Sequence, residues 1–376
     1  MYSWAQLGSS KLISSFHVNK SMFKESAYVT TIYNKKYPGV MGASIKNNLN
    51  SSLKAACGEH IERVALYNNP KYIKKRTIQA FNIINGDINE FPVETVLLSV
   101  DSIFQSKGMP DNFYNDSCGV ASHLSSKEAI NNSFLEFMER QSLIYNWLTC
   151  SPGKLVCLDE CKNKEILKLL DKQYSFVDKV FIFEISIHPL CKVILVFGFG
   201  EKYFGMGLGA DFHAEEAILK ALTELEMCYS NSLNKYYVEK KDETSALEFN
   251  MSEEEMYKDP HFYANYFFRK YDAKKLKHVY AYLFDNVETV KIKEMWVDEP
   301  DQYDYMKKIL YDLNLNIYGC YIPNANNFYK TKIFKVFSPD CYPHLNNKFY
   351  DAKDYKISYL NGEVVLRNNM EPVPFP

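Results

Sequence analysis

Three stretches of the chain carry apolar residues at helical spacing and share a pattern of acidic residues. They run from about 51 to 66, from 128 to 140 and from 216 to 227. The first two end in Glu-x-x-Glu-Arg, and the last two place Glu-Ala-Ile eight residues before the next aligned Glu. This spacing predicts three helices. Their similarity, at intervals of 77 and 88 residues, predicts a duplicated or triplicated unit. Each copy is long enough for strands plus a helix.

Short runs of β-branched and aromatic residues, bounded by turn residues, predict strands between and after the helices. They lie at 180–185, 192–198, 279–284, 316–322 and 332–337, with a hairpin turn at 200–202 and a further helix at 305–313. This order predicts a mixed α and β (α/β) fold, with helices laid on antiparallel or mixed sheets. The acidic, polar stretch 237–257 predicts a surface insertion or a subdomain boundary.

Composition narrows the classes of protein to which the chain can belong. Of 376 residues, 47% are apolar and 24% are charged, which is typical of a soluble globular protein. The formal net charge of −2 provides no basic field for nucleic acid or for an anionic membrane. Nine irregularly spaced cysteines argue against a disulfide framework and indicate a reducing cytoplasm. No apolar run approaches the roughly 18–20 residues of a membrane span. We therefore expect a cytoplasmic protein that binds neither nucleic acid nor membrane.

Two of the helices carry glutamates one turn apart, which project from the same side of a helix. These pairs are Glu59/Glu62 and Glu136/Glu139. If the helices pack side by side, four carboxylates converge, and such oxygen ligands suit a hard divalent cation such as Mg²⁺. The arginines that follow the pairs, Arg63 and Arg140, would then make bidentate contacts to phosphate.

A simpler interpretation treats each Glu-x-x-Glu-Arg as a solvated helix face with an intrahelical Glu–Arg pair. The repetition in register and the apolar neighbours argue against it.

Ser125 and Glu128 fit a capping box, in which Glu128 reaches back to the Ser125 amide. Isolated histidines such as His60 and His123 are more often structural than ligands. The sequence contains no phosphate-loop, dinucleotide-binding or serine-nucleophile motif.

The chain ends in alternating prolines, from Glu371 to Pro376. Such a sequence favours an extended polyproline-type tail with little conformational entropy left to lose. The tail could hold the terminal carboxylate at a fixed distance from the last sheet. The alternatives are a stiff frayed end or a docking peptide.

Together these motifs resemble those of the YcaO family. The matching segments are 55–63, 119–140, 221–227 and a Pro-x-Pro-x-Pro end at 372–376. The resemblance covers about residues 39–376, so that an N-terminal segment 1–38 would precede a YcaO-like catalytic domain. It implies an α/β fold with internal repeats, in which helices packed on mixed sheets surround an ATP site. The length is similar to that of the stand-alone D subunit of a microcin-type thiazole/oxazole synthetase, an azoline-forming cyclodehydratase.

The resemblance also implies roles for individual residues. The residues that would hold Mg²⁺ on the ATP phosphates are Glu59, Glu62, Glu136 and Glu139. Those that would bind ATP are Arg63, Glu128, Arg140 and Glu224. The third motif, which begins at Glu224, departs from the family pattern because Met227 stands where Gln is usual and Tyr229 where some members have Arg.

The implied reaction is an ATP-dependent cyclodehydration, in which a Cys, Ser or Thr of a precursor peptide attacks the preceding amide. The amide oxygen takes the γ-phosphoryl group and leaves as phosphate, which gives a thiazoline or oxazoline. The Pro376 carboxylate would be catalytic as, or would orient, a proton acceptor. Expected partners are the precursor peptide, a ThiF-like peptide-clamp subunit and a flavin-dependent dehydrogenase that carries FMN. Thioamide or macroamidine synthesis and a non-catalytic scaffold remain as alternatives.

Overall fold

The structure of the protein, a computed structural model, forms two compact units. One consists of Met1–Phe137 and Asn316–Pro339, and the other of Met138–Leu315 and Asp340–Pro376. The structure describes residues 3–5, 13–20, 28–34, 40–66, 77–93, 96–97, 117–201, 203–241, 267–268, 270–285, 287–295, 301–324, 330–343, 345, 347, 350–362 and 365–375.

These ranges contain six α-helices and fourteen strands, named here in chain order. The strands are β1 (Ser3–Ala5), β2 (Ile13–Lys20), β3 (Tyr28–Asn34), β4 (Met41–Lys46), β5 (Thr77–Asn82), β6 (Ile88–Pro92), β7 (Val120–His123), β8 (Lys154–Cys157), β9 (Lys179–Glu184), β10 (Lys192–Phe199), β11 (Phe204–Asp211), β12 (Glu288–Lys291), β13 (Tyr318–Ile322) and β14 (Lys332–Phe337). The helices are α1 (Leu49–Leu66), α2 (Ser126–Thr149), α3 (Lys164–Tyr174), α4 (Ala214–Lys241), α5 (Ala273–Val279) and α6 (Gln302–Leu313).

The first unit contains two sheets. One is the antiparallel sheet β1-β2-β3-β4, on which α1 packs. The buried Ser52 hydroxyl fixes the start of α1, since it lies 2.8 Å from both Thr30 Oγ1 and the Tyr28 carbonyl oxygen. The other is the antiparallel sheet β6-β5-β13-β14-β7. Its core cluster includes the buried side chains of Leu66 of α1, Val120 and Ile333.

The second unit contains the mixed sheet β11-β10-β9-β8-β12, in which only β8 and β12 run parallel. Every residue of β10 is buried, which explains its continuous apolar sequence. Helix α4 packs on β11 and β10. The sheet and its helix therefore form the same strand-then-helix arrangement as β4 and α1 in the first unit.

The four predicted helices begin within three residues of the predicted positions, but α2 continues nine residues and α4 fourteen residues beyond the predicted ends. Most of the predicted strands are confirmed within a few residues, and the mixed α and β class is confirmed. The hairpin is confirmed too, because β10 and β11 pair antiparallel across it. The nine cysteines all lie in the described ranges, and none of them forms a disulfide there. No helix in the described part of the chain combines the length and the apolar character that a membrane span requires. Strand β3, within the predicted segment 1–38, pairs with β4 beyond it; the division at residue 38 stays a prediction.

Two local predictions differ from the structure. The strand predicted at 279–284 is wrong, because α5 is followed there by a 3₁₀ turn at Ala281–Leu283. The Asp272 side chain accepts from the Lys275 amide at 2.8 Å and starts α5. Tyr280 and Leu283 are buried, and burial alone does not separate a strand from a helical turn. The break predicted at 237–257 does not begin at 237, since α4 continues to Lys241; the rest of that prediction, residues 242–257, lies outside the described residues.

Candidate active site

The first carboxylate of a motif is held by the strand that leads into its helix. In the first unit the Ala43 amide of β4 donates to Glu59 Oε2 at 2.5 Å. In the second unit the Leu208 amide of β11 donates to Glu224 Oε2 at 2.6 Å. Donor and acceptor are 16 residues apart in both cases. The two copies of the repeat therefore match residue for residue, and each bond orients a carboxylate.

The second carboxylate of a motif is held by the strand that leads into the following helix. The Ser122 amide of β7, which precedes α2, donates to Glu62 Oε1 at 2.5 Å. The Ala210 amide of β11, which precedes α4, donates to Glu139. Met227 occupies this second position in the third motif. The described hydrogen bonds therefore link each of the first two motifs to the next copy of the repeat.

Glycines bring two of the strands close enough for these bonds. A Cβ on Gly42 would overlap the Ala56 carbonyl oxygen of α1, and a Cβ on Gly207 would overlap the Ala221 carbonyl oxygen of α4. Only glycine permits so close an approach of strand to helix. The next residue after each glycine supplies the amide that holds the first carboxylate.

A further glycine, Gly119, lies just before β7, between Gly42 and Gly207 in the sequence. Its φ of 66° lies in the left-handed region, and a Cβ there would overlap the Val336 carbonyl oxygen. Gly42, Gly119 and Gly207 are separated by the same 77 and 88 residues as the glutamates. This signal was available in the sequence and was missed, as were the backbone amides that it positions.

The two motif arginines make different contacts. Arg63 Nη2 lies 2.6 Å from Glu59 Oε1, and its Nη1 donates to the Met41 carbonyl oxygen at 2.8 Å. The intrahelical ion pair of the simpler interpretation is thus present, but a backbone amide also binds Glu59, unlike a solvated carboxylate. Arg140 Nε lies 3.9 Å from Glu139 Oε1, and its guanidinium lies over the Phe375 ring, 5.1 Å from the centroid.

Burial raises the pKa values of the motif carboxylates. It raises the pKa of Glu62 to about 7 despite the hydrogen bonds from Ser122. The pKa of Glu224 is also raised to about 7, mainly by burial and then by the charge of Glu139. Burial raises the pKa of Glu139 as well, while Arg140 and Lys220 act in the opposite direction. A bound cation would stabilise the charged forms of these carboxylates.

These carboxylates fit a divalent cation that is shared with phosphate. Among the described residues, no group of three or more His, Cys, Asp or Glu converges as a preformed metal cage. Mg²⁺ does not require one, because it usually takes one or two carboxylates together with substrate phosphates and water. Glu59 with Glu62 and Glu139 with Glu224 are pairs of that kind. Their hydrogen-bonded oxygens are oriented by the backbone, as metal-ligating carboxylates commonly are.

Two other predicted residues lie on the first half of α2. The capping box is wrong, because the Ser125 amide donates to His123 Nδ1 at 3.1 Å and not to Glu128. Glu128 lies in the first turn of α2 and is half-buried. Glu136 lies one turn before Glu139. Convergence of the four motif carboxylates on one nucleotide stays a prediction.

His60 occupies an apolar position between the first pair of carboxylates. It is 1% exposed, and neither ring nitrogen has a hydrogen-bond partner among the described residues. Burial, assisted by the charge of Arg63, lowers its pKa to about 4. Leu225 is the equivalent residue of the third helix, one position after Glu224. His60 is therefore a neutral core residue, as expected of an isolated histidine.

The tail is part of the second unit's core up to its last described residue. Residues 372–375 are buried. Trp147 Nε1 of α2 donates to the Glu371 carbonyl oxygen at 2.8 Å, and the Tyr280 hydroxyl donates to the Pro374 carbonyl oxygen at 3.2 Å. Residues 371–375 are therefore not a frayed end. Pro376 lies outside the described residues, so its catalytic role stays a prediction.

Comparisons with known proteins identify the family of the chain. A family model described as YcaO cyclodehydratase, ATP- and Mg²⁺-binding, matches residues 74–322. The chain belongs to the YcaO family, and the resemblance inferred from its motifs is confirmed. It is 25% identical over 325 residues to the microcin B17-processing protein McbD of Escherichia coli, across 81% of this chain and 73% of that protein.

Two solved structures show the same fold. The first is a chain of the Escherichia coli microcin synthetase McbBCD complex with pro-MccB17 bound, with a TM-score of 0.70 and 18% identity over the whole of both chains. The second is YcaO from Methanopyrus kandleri bound with AMPPCP and Mg²⁺, with a TM-score of 0.65 and 12% identity over 90% of this chain and 88% of that one.

Proposed function

We propose that the chain is an ATP-dependent peptide cyclodehydratase within a heterocycle-forming synthetase. It would convert Cys, Ser or Thr of a ribosomal precursor peptide to thiazoline or oxazoline. The observation that carries the proposal is the repeated carboxylate geometry, in which backbone amides orient the glutamates of an ATP- and Mg²⁺-binding family. The 25% identity to a microcin-processing protein supports the azoline-forming branch.

The proposed chemistry suits these residues. The attacking side chain adds to the carbonyl carbon of the preceding amide, and the resulting oxyanion attacks the γ-phosphorus of ATP, which releases ADP. The amide nitrogen then loses its proton and forms the C=N bond of the five-membered ring as phosphate leaves with the former amide oxygen, and the new C–S or C–O bond remains. Phosphoryl transfer depends mainly on positioning and on neutralising charge. Mg²⁺ would supply that neutralisation at the phosphates.

The proposal gives each predicted residue a task. The carboxylates that would hold Mg²⁺ are Glu59, Glu62, Glu136 and Glu139, and the residues that would contact ATP are Arg63, Glu128, Arg140 and Glu224. Arg63 would have to exchange its contact with Glu59 for phosphate. The Pro376 carboxylate would accept, or orient the acceptor of, the proton of the attacking group. The burial of residues 372–375 supports a fixed tail.

The proposed partners are the precursor peptide, a ThiF-like subunit that clamps its leader, and a flavin-dependent dehydrogenase that uses FMN to oxidise azoline to azole. The support is that McbD, which resembles this chain, processes microcin B17, and that a structure of similar fold is part of a three-subunit synthetase bound to its precursor.

The test is mass spectrometry of candidate precursor peptides incubated with the full chain, ATP, Mg²⁺ and the proteins encoded beside it. We expect one water to be lost per ring, with release of ADP and phosphate. Glu139→Gln should abolish both, whereas Glu90→Gln, at an exposed carboxylate of β6, should abolish neither. Replacement of oxygen by sulfur without loss of water would indicate thioamide formation and overturn the proposal.

A non-catalytic scaffold is the second candidate, and one observation favours it. Met227 replaces the polar residue that would complete the third motif, so this copy of the repeat offers one carboxylate only. A scaffold would leave ATP unhydrolysed in the complete complex, and Glu139→Gln would then have no effect on peptide modification.

A further inference from the structure

The strands that supply the amide donors of the site each lie at the edge of a sheet. They are β4, β7 and β11. An edge strand has no neighbour on one side, so every second amide of the strand points away from the ladder. Ala43, Ser122, Leu208 and Ala210 donate to glutamate oxygens with amides of this kind. The open edges of the three sheets therefore serve as rows of donors for anionic oxygens.

Each of these strands places two such amides two residues apart. On β11 both amides hold a carboxylate. The second of them belongs to Ala210 and binds Glu139 of the preceding copy. The intervals of 88 and 77 residues lead from Ala210 back to Ser122 and then to Ile45 on β4. Because β4 belongs to the first copy, none of the three motifs precedes it to supply a second glutamate for Ile45.

The pairing of β3 with β4 directs the Ile45 amide outward. The Asn34 amide donates to the Val40 carbonyl oxygen at 3.1 Å, and hydrogen-bonded pairs recur at every second position from there. Ile45 faces Val29 at one of the positions between them. Ile45 is 2% exposed, and no hydrogen bond from its amide is found within the described part of the chain. Since a buried backbone N–H is nearly always paired, we expect a partner beyond the described residues.

We infer that the Ile45 amide donates to an anionic oxygen of the bound reactants. The oxygen belongs either to a phosphoryl group of the nucleotide or to the oxyanion that forms on the substrate amide. The equivalent amides of Ser122 and Ala210 each bind a carboxylate oxygen, so this backbone position is suited to negative charge. Ile45 and Ala43 lie about 7 Å apart along one edge, and the Ala43 amide holds Glu59, which we assign to Mg²⁺. The inference rests on the proposed function and adds a donor to it.

The experiment replaces the donor by proline. Ile45→Pro removes the amide hydrogen, and an edge strand tolerates proline where its N–H points outward. The matched control is Glu90→Pro on the edge strand β6, whose amide points outward by the same alternation. The quantities measured are the affinity for AMPPCP with Mg²⁺ and the kcat for azoline formation in the assembled synthetase. Loss of one hydrogen bond to a charged oxygen should lower one of them by about 10- to 150-fold, and Glu90→Pro should change neither.

The two measurements distinguish the source of the oxygen. Weaker binding of AMPPCP would identify a phosphoryl oxygen, whereas a lower kcat at unchanged affinity would identify the oxyanion of the peptide. Wild-type affinity and kcat in Ile45→Pro would overturn the inference and leave the proposed function intact. A wild-type protein that neither binds nucleotide nor forms azoline would overturn both.

A second variant separates the loss of the donor from a local folding defect. An ester in place of the amide of residue 45, introduced with the α-hydroxy analogue of isoleucine, removes the donor and keeps the side chain. It should reproduce the loss seen with proline. In the ligand-free protein it should lower the free energy of unfolding no more than the same replacement at Glu90, because each removes one outward amide and weakens one carbonyl of the ladder. A clearly larger loss at Ile45 would identify a structural partner of the amide and overturn the inference.

Discussion

Replacing Glu62 by glutamine should make the protein more stable and at the same time inactive. Glu62 accepts a hydrogen bond from the Ser122 amide, and glutamine retains an oxygen that can do the same. What it removes is a charge that burial makes costly, since burial raises the pKa of Glu62 to about 7. We propose that the same negative charge of the Glu62 carboxylate binds Mg²⁺. Stability and activity should therefore move in opposite directions.

The size of the stability gain follows from the pKa. The unfolded chain releases this proton near pH 4.3, whereas the folded chain keeps it to about pH 7. Between these values the folded state binds more protons, so the free energy of unfolding falls as the pH rises. Each pKa unit corresponds to about 1.4 kcal/mol, so the shift of about 2.7 units makes the ionised carboxylate cost roughly 4 kcal/mol well above pH 7. The Glu62→Gln variant does not incur this cost.

The assay is urea denaturation of the metal-free full chain at pH 5 and pH 8. Relative to wild type, Glu62→Gln should gain up to about 4 kcal/mol at pH 8 and only about 1 kcal/mol at pH 5. Glu90→Gln, an exposed carboxylate on β6, serves as the control and should show no such difference. An equal gain at both pH values would refute the argument from burial. Mg²⁺-dependent ATP hydrolysis at the wild-type rate would refute the metal assignment.

Three further results are expected. Deleting Phe375 and Pro376 removes about 6 Å of extended chain, and a one-glycine extension displaces the terminal carboxylate by about 3 Å. Both should cripple cyclodehydration in a mass-spectrometric assay while ATP still binds, and full activity of the extended form would exclude the carboxylate from catalysis. His60→Leu, which introduces the residue found at the equivalent position Leu225 of the third helix, should raise the free energy of unfolding by about 1–3 kcal/mol. It should also remove the fall in this free energy that wild type shows as the pH drops from 6.5 to 4. An unchanged fall over this pH range would contradict the expectation. The isolated chain should modify peptide slowly or not at all, and efficient leader-dependent turnover by it alone would contradict the need for a clamp subunit.

The helices and their intervals could be predicted because the sequence repeats itself. Apolar spacing located α1, α2 and α4, and the recurring glutamates gave the register between them. The strand predicted at 279–284 failed for a physical reason, since Tyr280 and Leu283 are buried in helical turns that Asp272 begins upstream. A run of apolar and aromatic residues predicts burial, but its backbone conformation depends on helix capping and on the residues that pack around it.

The site could be predicted only in part because its carboxylates are held by backbone amides. The sequence named Glu62 and Glu139, but the donors on Ser122 and Ala210 carry no side-chain signature. The contact of Arg140 with Phe375 likewise joins residues 235 positions apart. Contacts that long in sequence depend on the fold, and spacing along the chain does not reveal them.

The bond from Ser122 to Glu62 also affects how the protein can be divided. In a single strand-and-helix copy cut from the chain, the second glutamate would lack its backbone donor, because only the following copy supplies it. Two separated copies could satisfy that need only by associating. Fragments cut between 66 and 120 should therefore be individually unstable, and co-expressed fragments should recover structure by complementation. We therefore expect that the repeat is a unit of sequence and that the smallest part able to fold is a pair of successive copies.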